Sequence, residues 1–369
     1  MNEFVPPFLP VQKQFTRRDA LKLGIMASLG CPLLEGCVGT RPAATSVPNA
    51  SNLLALVRDP ILEAALYRSP RLRDPQPSAS GAISLNAQWE KGEAPRWFID
   101  LQRYAGDLIQ AGICSDDLSL VERAISLMRW GFAKQGPEGN FPGTGDPFHS
   151  TEVFVADTAR GLLLLRLSGL PQYAGLVKTY TPQLQQAAHW LTRPDIAEPG
   201  RRHNASFTHR CYILAAALGI SADLAGDADL AAAATVVARR GMQLQRADGV
   251  NPELGGFDVS YQSAGILFAA RYFPSCKDRA LQAGLAGMIR KGGEWLCGRL
   301  GQDGNLVVAG STRVAGQEKQ HWGKTKGVNY MEALQTFCHA GTITGEERFR
   351  RAARLIARTH APINPNELV

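Results

Sequence analysis

The chain has 369 residues, 45% of them hydrophobic and 20% charged, a balance that can bury a core and excludes a disordered or collagen-like chain. The formal net charge is +7. No block of five or six basic residues and no arginine-aromatic interleaving accompanies it, so a nucleic-acid partner is not expected and the excess suits an anionic substrate or a solvated basic surface. The seven cysteines (31, 37, 114, 211, 276, 297 and 338) form no CxxC pair, which argues against a zinc ribbon or redox motif.

In chain order, Thr16-Arg17-Arg18-Asp19-Ala20-Leu21-Lys22 comes first and resembles the twin-arginine export consensus, with Ala20 where a phenylalanine is usual. The apolar stretch 23–34 is too short to span a bilayer, which takes about 20 residues, and reads as a signal h-region. Leu34-Glu35-Gly36-Cys37 resembles a lipobox, which implies a lipid on Cys37 and a membrane anchor. Residues 38–52, rich in Ala, Thr, Ser and Pro, have the composition of a tether. The expected organisation is a signal at 1–37, a tether at 38–52 and one domain at 53–369. The expected partners so far are the twin-arginine translocase and a membrane, and the expected location is the periplasm or cell envelope.

Beyond the tether the chain repeats. Five segments carry a polar lead, an aromatic and then an apolar helix, with the aromatics at Phe98, Phe154, Phe207, Tyr261 and Tyr330, 53 to 69 residues apart. Between them, 118–134, 173–192, 230–244 and 279–300 are amphipathic at the helical period, and 346–359 is a last such helix. Three acidic-Gly turns (Glu138-Gly139, Asp248-Gly249, Asp303-Gly304) follow the second helices, and Pro199-Gly200 fills that place in the remaining unit. Inner helices such as 162–167 and 213–218 are apolar on all sides, whereas the second helices keep a charged face. The pattern predicts an all-α fold, an (α/α) toroid of about five to six hairpins. The alternative is an open superhelix, whose repeats are usually shorter, about 34–47 residues.

The loops leading into the inner helices should gather at one mouth. They hold His149, Arg201-Arg202-His203-Asn204, His209-Arg210, Asp258 to Gln262, Arg313, His321-Trp322, Lys324 and Asn329-Tyr330. Here the chain resembles the toroidal polysaccharide lyases of the alginate and chondroitin type. Asp258-Val259-Ser260-Tyr261-Gln262 is similar to their Asp-Gly-Ser-aromatic segment, with Val259 for glycine, and Asn204 before His209-Arg210 is similar to their asparagine-bearing helix start. The Asn-Asn-His-x-Tyr-Trp segment of the classical alginate lyases is not present.

The resemblance implies β-elimination on a uronate polysaccharide or oligosaccharide without a cofactor. Tyr261 would act as base and acid, Asn204 with Arg210 or Arg313 would neutralise the substrate carboxylate, and His149 or His209 would be the second proton-transfer group. Trp97, Asp258, His203, His321, Trp322, Lys324, Asn329 and Tyr330 are the candidate substrate contacts. Two other readings stay open. A glycoside hydrolase on the same fold needs paired acids, for which Glu152, Asp157 and Asp258 are candidates with Asp146 and Glu253 nearby. A non-catalytic glycan-binding lipoprotein would keep the aromatics and cations. Tyr261 shares its repeat position with plain packing aromatics, and Asn204 and Asp258 stand where helix caps belong. No reading requires a metal.

Overall fold

The computed structural model describes residues 59, 61–62, 65–66, 81–82, 99–142, 144, 146–316, 318–319 and 325–361. The signal, Cys37 and the tether lie outside these residues, as do Trp97, Phe98, His321, Trp322 and Lys324. Within them the fold is all-α. Eleven α-helices are present and β structure is confined to isolated bridges. The helices are α1 (Ala105–Ser115), α2 (Leu118–Phe132), α3 (Pro147–Ser168), α4 (Ala174–Thr192), α5 (Pro194–His203) and α6 (Thr208–Ala225). They continue with α7 (Ala228–Leu244), α8 (Val259–Tyr272), α9 (Arg279–Cys297), α10 (Tyr330–Thr344) and α11 (Glu347–His360). Among the described residues, no helix is long and apolar enough to cross a membrane.

Local chemistry explains most boundaries. Asp117, Asp146, Asp227, Asp258, Asp278 and Asn329 each accept a backbone N–H from the first turn of the helix they precede. Gly169, Gly226 and Gly345 end α3, α6 and α10 in the left-handed conformation. The outer helices fall within a few residues of the amphipathic segments read from the sequence.

Pairs α1/α2, α3/α4, α6/α7, α8/α9 and α10/α11 pack as hairpins. The first helices pack in succession, α1 on α3, α3 on α6, α6 on α8 and α8 on α10, while α4, α7, α9 and α11 pack in succession outside them. Burial follows: α3 is buried continuously from Ser150 to Leu165, whereas α7 buries only Leu230, Ala234, Val237, Ala238 and Gly241. Each fully buried Leu or Phe contributes roughly 1.5–3 kcal/mol.

The acidic-Gly turns latch neighbouring units. Gly139 and Gly249 have φ of +95° and +92°, and a Cβ on either would lie 2.6 Å from the Gln186 carbonyl of α4 or 2.4 Å from the Lys291 carbonyl of α9. The same side-chain bond recurs at both: Gln135 Nε2 donates to the Gly139 and Gln183 carbonyls, and Gln245 Nε2 to those of Gly249 and Met288. Two expectations are corrected. Pro199-Gly200 is not a turn but lies inside α5, where Gly200 packs against the Phe148 ring. The repeated aromatics do not share one structural register. Phe154 lies seven residues into α3 and packs on Phe132 and Phe141, Phe207 is the N-cap of α6, Tyr261 is the third residue of α8, and Tyr330 is the first of α10.

The first helices meet in a buried polar network. Asp107 of α1 accepts from Arg160 of α3 at 2.8 Å, Arg271 of α8 at 3.0 Å and Gln335 of α10 at 3.2 Å. Arg160 also donates to Gln110, and Asp157 Oδ2 accepts the Gly106 N–H at 3.0 Å. Burial opposes the Asp107 charge, but Arg271 and Arg160 outweigh it and hold the carboxyl below its ordinary range.

Two stability predictions follow from these contacts. Asp107→Ala leaves two buried guanidiniums short of a counter-charge and should cost about 3–5 kcal/mol in denaturant unfolding, since that is the scale for breaking a buried pair. Gly249→Ala should cost roughly 1–2 kcal/mol from the left-handed backbone alone, more with the Lys291 clash, read as a lowered melting temperature.

Candidate functional site

The polar loops converge. Arg210 at the start of α6 reaches Asp146 at the start of α3 at 3.4 Å, and the Thr208 and Leu254 N–H groups join the loops before α6 and α8 by donating to the Pro252 and Ser206 carbonyls. Thr312 donates through both N and Oγ1 to the Phe257 and Glu253 carbonyls, and the Asn329 N–H donates to Ser260 Oγ at 3.0 Å. The N-termini of α3, α6, α8 and α10 therefore share one end of the helical unit, where their unpaired N–H groups add positive potential.

At the centre is Tyr261, half-buried. Its hydroxyl accepts from Lys326 Nζ at 3.1 Å, the Arg313 guanidinium carbon lies 3.7 Å from its ring centre, and the His209 ring centre is 4.7 Å away. Arg313 donates to Glu253 Oε1 at 2.8 Å and to Glu318 Oε2 at 2.5 Å, and Lys326 donates to Glu318 Oε1 at 2.6 Å. Burial alone would raise the Glu318 carboxyl, but Arg313 and Lys326 hold it down at about 2, and the same bonding raises Arg313. His209, buried, meets Glu253 Oε2 through Nδ1 at 2.9 Å.

A second dyad stands beside it. His149 Nδ1 lies 2.8 Å from Glu152 Oε1, which also accepts from Asn204 Nδ2 at 3.5 Å. Arg210 donates to Asn204 Oδ1, which fixes the orientation of that amide. Burial holds His149 well below its ordinary value, helped by the charges of Arg210, His209, Arg103 and Arg313. Burial pushes Glu152 well above the usual carboxylate range, with Asp146 adding to the rise and Arg210 opposing it. Both imidazoles are tied through Nδ1, which leaves Nε2 as the nitrogen for proton transfer.

The structure thus brings Tyr261, His209, Arg313, Asn204, Arg210 and His149 together. Asp258, expected among the substrate contacts, is instead wholly buried and saturated. Its Oδ1 caps α8 through the Ser260 and Tyr261 N–H groups, and its Oδ2 accepts from the Arg313 and Val314 N–H groups at 2.9 Å. Its effect is to seat Arg313 over Tyr261. Asn329 caps α10 through the Glu332 N–H at 3.4 Å. Tyr330 turns to the outer layer: its ring stacks on His360, and its hydroxyl accepts from the Leu306 N–H and donates to Asn305. His203 is exposed, with Nε2 3.6 Å from Asp146.

Sequence reasoning left out Lys326, Glu318 and Arg103. Lys326 and Glu318 are joined by the loop's own backbone, with the Lys326 N–H on the Glu318 carbonyl at 2.9 Å, a pairing that no residue pattern announces. For Arg103, burial works against the charge, but Tyr104, Glu332, Asp100 and Tyr261 raise it overall. Among the described residues, no group of three or more His, Cys, Asp and Glu is placed to hold a metal ion.

No protein-family model, curated protein or solved structure matches the chain.

The two dyad residues should oppose each other in pH dependence. His149 is lowered in the folded state, so its contribution is present above the unfolded value of 6.5 and is lost as pH falls below it. Glu152 is raised, so its contribution is present below 4.5 and is lost as pH climbs above it. Relative to wild type, His149→Gln should therefore gain stability progressively below pH 6.5, and Glu152→Gln should gain it progressively above pH 4.5. Urea titrations between pH 4 and 9 would show these trends as diverging midpoints, and parallel midpoints would refute them.

Proposed function

We propose that the chain is a polysaccharide lyase that cleaves a uronate-containing glycan by β-elimination, exported by the twin-arginine route and tethered through Cys37. The observation that carries the reading is the surround of Tyr261: one hydroxyl with an ammonium at 3.1 Å, a guanidinium on its ring and an imidazole ring centred 4.7 Å from its own. Negative charge on that oxygen, which it needs in order to take up a proton, meets two fixed positive charges.

The reaction needs one group to take the proton alpha to the uronate carboxylate while the bond to the 4-linked oxygen breaks. The C–H electron pair becomes the new double bond and the C–O pair leaves with the 4-linked oxygen; the proton goes to Tyr261 acting as the phenolate, and the departing oxygen gains a proton from the tyrosine hydroxyl so formed or from an imidazole. Arg210 and Asn204, with Arg313, supply the directed hydrogen bonds that neutralise the carboxylate as the carbanion forms. Trp97, His321, Trp322 and Lys324 remain assigned to sugar contacts. The supporting frame is an (α/α) toroid: the succession of first helices, and the bond from Gln335 of α10 back to Asp107 of α1, favour closure over an open superhelix.

The hydrolase reading is less well supported. Glu152 and Glu253 are sealed from solvent at 0% and 1% exposure, and each already holds a histidine, whereas a hydrolase needs two acids that flank the bond.

Purified protein given alginate, hyaluronan or heparosan should generate a conjugated double bond absorbing in the near ultraviolet. Tyr261→Phe should lower that rate ~100-fold or more, the lower end for a lost general acid-base group, with an unchanged melting curve. New reducing ends without the absorbance would support the hydrolase, and binding without either product would support the non-catalytic reading.

A further inference from the structure

Arg313 and Lys326, the two cations at Tyr261, share one carboxylate that comes from the chain itself. Glu318 Oε2 accepts from Arg313 Nε at 2.5 Å, and its Oε1 accepts from Arg313 Nη2 at 3.2 Å and from Lys326 Nζ at 2.6 Å. Nε and Nη2 form one edge of the guanidinium, and paired bonds to such an edge are how an arginine holds a free carboxylate. The remaining nitrogen is spent elsewhere: Nη1 donates to Glu253 Oε1 at 2.8 Å, and the Glu253 side chain is only 2% exposed. Lys326 spends a second proton on the Tyr261 hydroxyl at 3.1 Å.

Glu318 is unlike Glu253 in two ways. Its side chain is 35% exposed and that of Lys326 is 21% exposed, so solvent reaches this ion pair. Its backbone is also fixed without its carboxylate: the Glu318 N–H donates to the Arg313 carbonyl at 3.2 Å, and the Glu318 carbonyl accepts the Lys326 N–H at 2.9 Å. Rotation of the side chain alone would turn the carboxylate out to water. Arg313 would stay on Glu253 and the Tyr261 ring, and Lys326 on the Tyr261 hydroxyl. Among the described residues, the two cations would then keep one carboxylate partner, Glu253, which leaves one positive charge unmatched. A single carboxylate restores the balance. The place also fits the reaction. Glu318 Oε1 and the Tyr261 hydroxyl are bound to the same ammonium, so a carboxylate in the place of Glu318 sits next to that hydroxyl. In a uronate the proton to be removed is on the carbon that carries the carboxylate.

We infer that Arg313 and Lys326 are the binding site for the uronate carboxylate of the substrate, and that Glu318 is an internal stand-in which the incoming carboxylate displaces. The inference rests on the saccharide reading above. It adds Lys326 to the residues that read the substrate carboxylate. It also makes Glu318 a brake on binding rather than a support for the site. A neutral sugar has no group that replaces Glu318 on the two cations, so the exchange selects for acidic glycans.

The test compares the full-length wild type with Glu318→Gln and Glu318→Asp. Glutamine keeps the shape and drops the charge, whereas aspartate keeps the charge and shortens the reach. Binding of alginate, hyaluronan and heparosan tetrasaccharides is measured by isothermal titration calorimetry. Carboxyl-reduced forms of the same tetrasaccharides are the neutral control, and products are followed by near-ultraviolet absorbance. Glu318→Gln should bind at least one acidic tetrasaccharide about 10-fold tighter than wild type, the scale of one hydrogen bond to a charged group freed from competition. Glu318→Asp should fall between the two, and the carboxyl-reduced forms should not distinguish the three proteins. Adding Lys326→Met to Glu318→Gln should remove the gain. Equal or weaker binding by the Glu318 variants, with wild-type melting curves, would overturn the inference, because Glu318 would then only support the two cations. Unsaturated product from the wild type would in that case leave the lyase reading standing. A gain that the carboxyl-reduced forms share would overturn the inference as well. A carboxylate-dependent gain without unsaturated product from any of the proteins would overturn the lyase reading and leave the carboxylate site standing. No binding and no product from any of them would overturn both.

Discussion

Three of the first helices are committed to one another by charge, and a fourth, α10, joins them through the Gln335 amide. Asp107, Asp157, Arg160 and Arg271 are buried together, and no member can be left alone in a low-dielectric interior without a penalty of several kcal/mol. α1, α3, α8 and α10 must therefore meet at one depth, and that depth sets where their N-termini emerge. α6 brings no charged residue to this network. It is held by apolar burial from Tyr212 to Ala222 and by its neighbours α3 and α8, and it places its own charged residues, His209 and Arg210, at the N-terminal end. The polar network and the candidate site thus share α3 and α8 at two levels.

The outer layer was legible in the sequence because its signals are local. Amphipathic period, aspartate caps and acidic-Gly turns each act within a few residues, and α2, α4, α7, α9 and α11 fall where those signals put them. The glycines carried more than expected: Gly139 and Gly249 are required both by their positive φ and by the carbonyl of the next unit lying where a side chain would be. α5 was not legible. Pro199-Gly200 has the composition of a turn, yet Pro194 starts a helix there, and the missing side chain of Gly200 lets Phe148 close against it.

The site was legible in residue type and less so in role. Tyr261 and Phe154 occupy the same step of the repeat, but α3 begins seven residues before its aromatic and α8 only two. That offset puts Phe154 in the core and Tyr261 at the loops. Asp258 lies two residues from Tyr261 in α8's first turn, and its four hydrogen bonds are consumed in capping α8 and in pinning the Arg313 loop. Lys326 reaches Tyr261, and Glu318 reaches Lys326 and Arg313, through the fold of a loop, and such contacts leave no period or spacing to read.

The two histidine-glutamate dyads are alike in geometry and unlike in surroundings. Glu253 has Arg313 at 2.8 Å on its second oxygen, so its negative charge is compensated where it lies against His209. Glu152 has no partner on its second oxygen, and burial raises it well above the carboxylate range while His149 is kept neutral. An imidazole that donates its Nδ1–H to a charged carboxylate is the stronger proton acceptor, whereas a neutral acid beside a neutral imidazole holds a proton ready to give. Elimination on a glycan needs something to accept the proton alpha to the carboxylate and something to return one to the departing oxygen; Tyr261 can do both where the two lie on one face, and an imidazole is needed beside it where they do not. On the proposed reading an imidazole is the second proton-transfer group beside Tyr261, and the second oxygen of each glutamate is what sets the two imidazoles apart, since Arg313 reaches Glu253 and no cation reaches Glu152 at that distance.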